Sequence, residues 1–294
     1  MRKIRKAIIP VAGLATRFLP ATKAQPKTMM TLVDKPIIQY IVEEAVAAGI
    51  EQVIFVTGSN QNSIQDHFDS NFELEHVLQQ RGKLKELEEV VRTTNMAKFV
   101  YTRQHSPRGD GHAILMAKDL VENEPVVVMY GDDIFDARVP VTAQLIETYE
   151  KYGEPVIALY DVGRENVSKY GIAGGRMRDD RVMEVEGYVE KPNIGEAPSS
   201  YAGVARYVVT PELMAVLARQ KGGFDGEIRL ADAFTEYLSE GLGKVAGRIV
   251  DARRYDCGDK TEFVKATLDF ALKNGEVNRD GVLTEYVRHR ASEL

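Results

Sequence analysis

The chain has 294 residues, a formal net charge of −6, a single cysteine and no tryptophan. That length supports a sizeable core in one large domain or one domain with an insertion. One cysteine, Cys257, excludes an intrachain disulfide and points to a reducing cytoplasm. The acidic balance excludes general nucleic-acid binding, which needs a surplus of Lys and Arg. No apolar run reaches the roughly 18–20 residues that span a bilayer, so no membrane partner is expected. The basic start MRKIRK precedes an apolar stretch too short for a signal peptide.

The segment KAIIPV, apolar and rich in β-branched residues, predicts a buried first strand. The chain leaves it through Gly13 into an irregular loop, residues 12–27. This loop carries Arg17, Lys23 and Lys27 and is held by Pro20 and Pro26. Exposed backbone N–H groups beside glycine, with fixed cations nearby, suit a polyphosphate. The spacing is neither GxGxxG nor GK[ST], and a solvated basic loop is the competing reading. Pro36 then opens an apolar helix through Ile37, Ile38, Ile41, Val42 and Ala45 that stops at Gly49. QVIFVT reads as a second buried strand, and residues 61–94 carry charged helical periodicity over one edge. KFVYTRQ is a third strand, GHAILMAKDLV one helix, and PVVVMY a fourth strand ending at Gly131-Asp132-Asp133. A helix over residues 141–152 and the strand PVIALYDV follow.

Strands separated by helices imply right-handed crossovers and a mostly parallel sheet, whose ligands bind beyond the carboxyl ends of the strands. The loops at Gly13, residues 104–112 and Asp132 all leave such ends and are expected to meet at one crevice. Residues 170–209 change character, with short β segments that suggest a β-rich insertion facing that crevice. Pro211 and Gly226 precede further helices, KVAGRIV gives a late strand, and the chain from Thr261 is helical. The expected class is α/β, with a Rossmann-like, mostly parallel (mixed) sheet flanked by helices and a β-rich part.

AGLATRFLP, QPKTMM and LVDKPIIQY resemble the N-terminal signature of the sugar nucleotidylyltransferases, most closely their uridylyltransferase branch. The likeness continues in the family's order through VEEAVAAGI, IFVTG, RQHSPRGDGHAIL, YGDDIF, SKYGI, VEKP, GVARYVVTP, GEIRLADAF and RYDCGDK, covering nearly all of residues 3–270. It implies one nucleotidyltransferase domain over residues 1–275 and a C-terminal helical tail over residues 276–294. Within the domain, the nucleotide-binding part would end near residue 135 and the sugar-binding part would span residues 136–260. It also implies uridylyl transfer from UTP to α-D-glucose 1-phosphate with Mg²⁺, and a homodimer or homotetramer. Two other readings stay open: thymidylyl transfer from dTTP, and a nucleotide-sugar-binding regulatory homologue. RYDCGD and the long 61–94 segment favour the uridylyl branch.

Two carboxylates at a strand exit are good oxygen ligands for Mg²⁺, although Asp132 and Asp133 also suit a helix cap or turn. The resemblance makes Asp132 the metal ligand, Asp133 a capping or orienting group, and Asp256 a second metal carboxylate; a turn aspartate before Gly258 is the alternative for the last. It makes Arg17 and Lys27 the groups that neutralise the triphosphate and pyrophosphate, while Lys23 is read as solvated. Gln104 and Gly109 match the uracil-recognition segment. A glutamine amide offers a donor and an acceptor to N3–H and a carbonyl, with backbone groups of Ala12 and Gly13 on the other edge. His112 is either a cap-region residue or a ligand contact. The resemblance assigns Glu190 to sugar hydroxyls, Lys191 to the sugar phosphate and α-phosphate, and Gly171 and Val204 to backbone packing against the hexose. Cys257, with no partner base, is read as a core residue.

Four positions depart from the family pattern: Ala15 in place of Gly, Thr28 of Glu, Asp110 of an aliphatic residue, and Arg229 of Gln. An acidic Asp110 would repel phosphate unless it points away. Ala15 is expected to have φ < 0, since a non-glycine residue at positive φ is strained.

Overall fold

In Lys6–Pro10 (β1), Ala7, Ile8 and Ile9 are fully buried; helices cover both faces of the strand, so neither face can be polar. The computed structural model describes residues 2–59, 61–223 and 225–293. A two-residue ladder, Thr31–Leu32 (β2) with Lys35–Pro36 (β3), leads into Ile37–Ala47 (α1), which buries the apolar stripe Ile37, Ile38, Ile41, Val42 and Ala45. Gln52–Thr57 (β4) is buried from Val53 onward. Three helices follow: Asn62–Phe68 (α2), Phe72–Gln80 (α3) and Leu84–Asn95 (α4). The Asn71 side chain caps α3 by accepting from the Leu74 amide. Lys98–Arg103 (β5) completes that edge.

Where periodicity predicts one helix after residue 109, the structure has two, Asp110–Leu115 (α5) and Lys118–Val121 (α6). The amides of Met116 and Ala117 turn to carbonyls three residues back, at 3.1 and 3.0 Å, and this tightening ends the first helix. Val126–Met129 (β6), Asp133–Asp136 (β7), Val141–Tyr152 (α7) and Val156–Asp161 (β8) come next. The β-rich stretch is Gly171–Met177 (β9), Val182–Glu190 (β10) and Tyr201–Val209 (β11). Pro211–Arg219 (α8), Leu230–Ser239 (α9), Val245–Ile249 (β12), Arg253–Asp256 (β13), Lys260–Lys273 (α10) and Val282–Ser292 (α11) finish the chain.

Nine strands form one sheet in the order β5-β4-β1-β6-β11-β8-β12-β10-β9, and only β10 and β11 run against the others. The expected β-rich insertion is therefore not a separate layer. Strand β11 is buried along nearly its whole length, so it sits between β6 and β8 in the middle of the sheet. Alternate residues of β1 enter opposite cores: Ile9 packs with Phe55 and Ile38, Ile8 with Ile54 and Val128. Each such side chain stabilises the fold by about 1.5–3 kcal/mol relative to exposure. No helix among the described residues is long and apolar enough to cross a membrane.

One charged group lies inside this core. Arg206 of β11 is fully buried, and its Nη2 sits 2.7 Å from Glu44 of α1. Glu44 also accepts from the amide and hydroxyl of Thr142 in α7, at 3.0 and 2.7 Å. The guanidinium donates onward to the carbonyls of Tyr130 (3.3 Å) and Asp133 (2.9 Å). Two helices and the central strand thus grip the turn that carries Asp132.

Candidate active site

The carboxyl ends of β1, β5 and β6 open on a cavity of about 500 Å³. Ala12, Gly13, Arg17, Lys27, Gln104, Gly109 and Asp132 all line it, so the three loops separated in sequence do meet. The β1 exit is braced by a buried amide: Gln61 donates to the Val11 carbonyl at 2.8 Å and accepts from the Gly58 amide at 2.7 Å. No sequence signal marks Gln61, because its partner is fifty residues away.

Lys27 Nζ lies 2.6 Å from Asp132 Oδ2 on the cavity wall. A Cβ built on Gly258 would come within 2.8 Å of Asp256 Oδ1 and 3.1 Å of both Arg17 Nη2 and Lys27 Nζ. Glycine there lets two cations and a carboxylate converge. Asp256 stands opposite Asp133 in the β13–β7 pair, and its Oδ1 also accepts from the Gly258 amide at 2.8 Å. Asp133 itself is turned inward. Arg254 donates from Nη2 to its Oδ2 at 3.0 Å and places Nε 2.7 Å from Oδ1, off the hydrogen-bond axis. Burial pushes the Asp133 carboxyl up to about 6 against the pull of Arg254, with Asp132 and Asp256 adding to the rise. Asp133 is thus held by Arg254 and is not among the residues lining the cavity. Cys257 is fully buried, and burial raises its thiol far above the ordinary range. Among the described residues no group of three or more His, Cys, Asp or Glu is arranged to hold a metal. Asp132 on the cavity wall and Asp256, which meets Arg17 and Lys27 around Gly258, offer two hard oxygen donors, a set that fits Mg²⁺, which keeps waters and takes few protein carboxylates.

Ala15 corrects the expectation made for it: its φ is 50° and ψ 42°, left-handed. Its carbonyl accepts from the Phe18 amide at 3.1 Å and the Thr22 hydroxyl at 2.9 Å, and these bonds hold the strained residue in place.

At the exit of β5, Gln104 Nε2 donates to the Gly109 carbonyl at 2.9 Å and lies 3.1 Å from His112 Nδ1. The amide donor expected to face the base is therefore already engaged. Gly109 has φ 95°, and a Cβ there would fall 2.4 Å from the Ile228 carbonyl; only glycine fits. Asp110 stands on the wall of the same cavity, where its carboxylate accepts from the Tyr130 hydroxyl. Burial raises its pKa, opposed by that bond and by the Gly111 and Leu230 amides. Tyr130 and Glu227 also line the cavity, and nothing in the sequence pattern distinguishes them from ordinary core and surface residues. Arg229 is taken up by Asp225 and by Glu227, the latter at 2.8 Å.

The residues expected to hold sugar lie outside that cavity. Gly171 pairs with Glu190 across β9 and β10, and the Lys191 amide donates to the Tyr170 carbonyl at 3.0 Å. Glu190 and Lys191 stand 3.5 Å apart, 62% and 63% exposed, and Lys191 has φ 47°. Val204 is buried in β11. Tyr188, which no sequence signal marked, packs its ring beside Gly171 and Gly203. Burial, then Glu190 and Asp110, raise its pKa.

The nucleotidyl transferase family model matches residues 6–272, and the chain belongs to that family. UTP–glucose-1-phosphate uridylyltransferase 2 of Staphylococcus saprophyticus is 46% identical over 288 residues, covering 98% of each chain. The UTP–glucose-1-phosphate uridylyltransferase of Staphylococcus epidermidis is 46% identical over 280 residues, 95% of this chain and 96% of that one. Among solved structures, a UDP-glucose pyrophosphorylase complexed with UDP-glucose superposes with TM-score 0.83 at 36% identity, covering 92% of this chain and all of that one. The UTP-bound enzyme from Acinetobacter baumannii gives TM-score 0.88 at 36% identity, over 97% and 98% of the two chains.

Proposed function

We propose that this chain transfers a uridylyl group from UTP to α-D-glucose 1-phosphate, releasing UDP-glucose and pyrophosphate. The observation that carries this reading is the convergence of Arg17, Lys27, Asp132 and Gln104 on one cavity, in a chain 46% identical over its length to enzymes named for that reaction. A phosphate oxygen of the sugar phosphate attacks the α-phosphorus of UTP in line. The bond from that phosphorus to the bridging oxygen breaks, and pyrophosphate leaves on the opposite side. Such transfers need positioning and charge stabilisation more than covalent help. Arg17 and Lys27, both on the β1 loop, stabilise the charge building on the leaving pyrophosphate. Lys191 holds the sugar phosphate, Glu190 accepts from sugar hydroxyls, and Gly171 and Val204 pack against the hexose. Ala12, Gly13, Gln104 and Gly109 orient the base. Asp132 and Asp256 would hold Mg²⁺, which supplies further charge neutralisation between the two phosphates when bound.

The test is pyrophosphate release across four nucleoside triphosphates, dTTP and several hexose 1-phosphates, with and without EDTA. UTP with glucose 1-phosphate should lead, and EDTA should silence it. Binding of UDP-glucose without pyrophosphate release from any pair would overturn the catalytic reading; equal rates with dTTP would overturn the nucleotide preference.

A further inference from the structure

We infer that His112 is a positioning residue: with the Gly109 carbonyl it holds the Gln104 amide in one orientation, so that the site selects a nucleobase edge bearing an N–H. This rests on the reaction proposed above and names how its base is chosen. A carbonyl oxygen can only accept, so the end of Gln104 that lies 2.9 Å from Gly109 O must be the NH₂ group. The flipped amide would set two carbonyl oxygens against each other at that distance. The second N–H of the same group then faces His112 Nδ1 at 3.1 Å. An amide nitrogen has no lone pair to offer, so Nδ1 is the acceptor and the imidazole is neutral, with its proton on Nε2. Burial and the charge of Arg108 both lower the His112 pKa, in keeping with that state.

Both donors of Gln104 are now engaged, and its Oε1 takes no protein donor among the described residues. What Gln104 offers the cavity is a lone acceptor. Uracil N3–H complements it; the N3 lone pair of cytosine is repelled by it. The frame cannot drift, because Gly109 sits against Ile228, whose amide donates to the Arg108 carbonyl at 2.8 Å.

The experiment compares kcat/KM for UTP and CTP, with glucose 1-phosphate, in the wild type, His112→Ala and His112→Asn. Asparagine places an oxygen near the position of Nδ1 and can accept the same hydrogen. His112→Ala should lower the UTP/CTP ratio about 3- to 10-fold, the worth of one neutral hydrogen bond. His112→Asn should restore most of that loss, and a purely structural histidine would not be rescued in this way. An unchanged ratio in His112→Ala, or an equal fall in His112→Asn, would overturn the inference. A wild type inactive with every nucleotide would instead sink the proposed reaction. Calorimetric titration with UDP and CDP then reads the same ratio without turnover, judged by the same two outcomes.

Discussion

On the wall of the cavity, Lys27 and Asp132 hold each other at 2.6 Å and Thr28 beside them is buried. Glu190 and Lys191, the pair proposed to hold the sugar, lie at a strand end, more than half exposed and 3.5 Å apart. The first pair is fixed by its surroundings: Arg206 grips the carbonyls of Tyr130 and Asp133, and Gly258 lets Arg17, Lys27 and Asp256 close in. The second hangs on the end of the β9–β10 ladder, where Glu190 pairs with Gly171, and on a bond from the Lys191 amide to the Tyr170 carbonyl. A polyphosphate carries several charges into a confined space, so its partners gain most from being preorganised. The hydroxyls of a hexose are read by hydrogen bonds that water can satisfy until the ligand arrives, and an exposed carboxylate such as Glu190 serves for that.

The contrast can be broken most severely at Arg206. Arg206→Met leaves Glu44 buried without its cation, and stability should fall by about 3–5 kcal/mol. Denaturant titration measures this; a loss under 1 kcal/mol would mean that the brace is dispensable. A smaller effect is expected at Asp132, where Asn keeps the size and removes the charge. We expect kcat to drop on the order of 10²-fold while UDP-glucose affinity changes far less. Full turnover of Asp132→Asn in Mg²⁺ would move the metal elsewhere. At the second pair, Glu190→Ala should raise KM for glucose 1-phosphate more than KM for UTP, by a term of about 1.5–3 kcal/mol, and leave the melting temperature in place. Equal shifts for both substrates would remove Glu190 from the sugar. The smallest change is Ala15→Gly, which relieves left-handed strain and should stabilise the chain by about 0.5–1 kcal/mol; destabilisation would show that the Ala15 methyl contributes more than its strain costs.

Residues close in sequence were legible before the fold. The apolar stripe of α1 and the buried runs of β1, β4 and β6 follow from periodicity and β-branching, which act over a few residues. The cationic loop after Gly13 and the aspartates after β6 were legible as parts of one crevice because each stands at a strand exit. Tertiary structure decided the rest. It put β11 into the middle of the sheet, where its burial on both faces finds partners, and so merged the β-rich stretch with the nucleotide core. Packing also turned Asp110 toward Tyr130, used up the Gln104 donor on Gly109, and held Ala15 at positive φ. Each of these depends on a partner distant in sequence or on a competing bond, and local propensity carries no information about either. Sequence alone determined most of the strands and helices and the placing of Arg17, Lys27 and Asp132 at the crevice; the direction each polar atom faces was left to the packing of distant strands and loops, because a hydrogen bond is assigned only when both of its ends are in place.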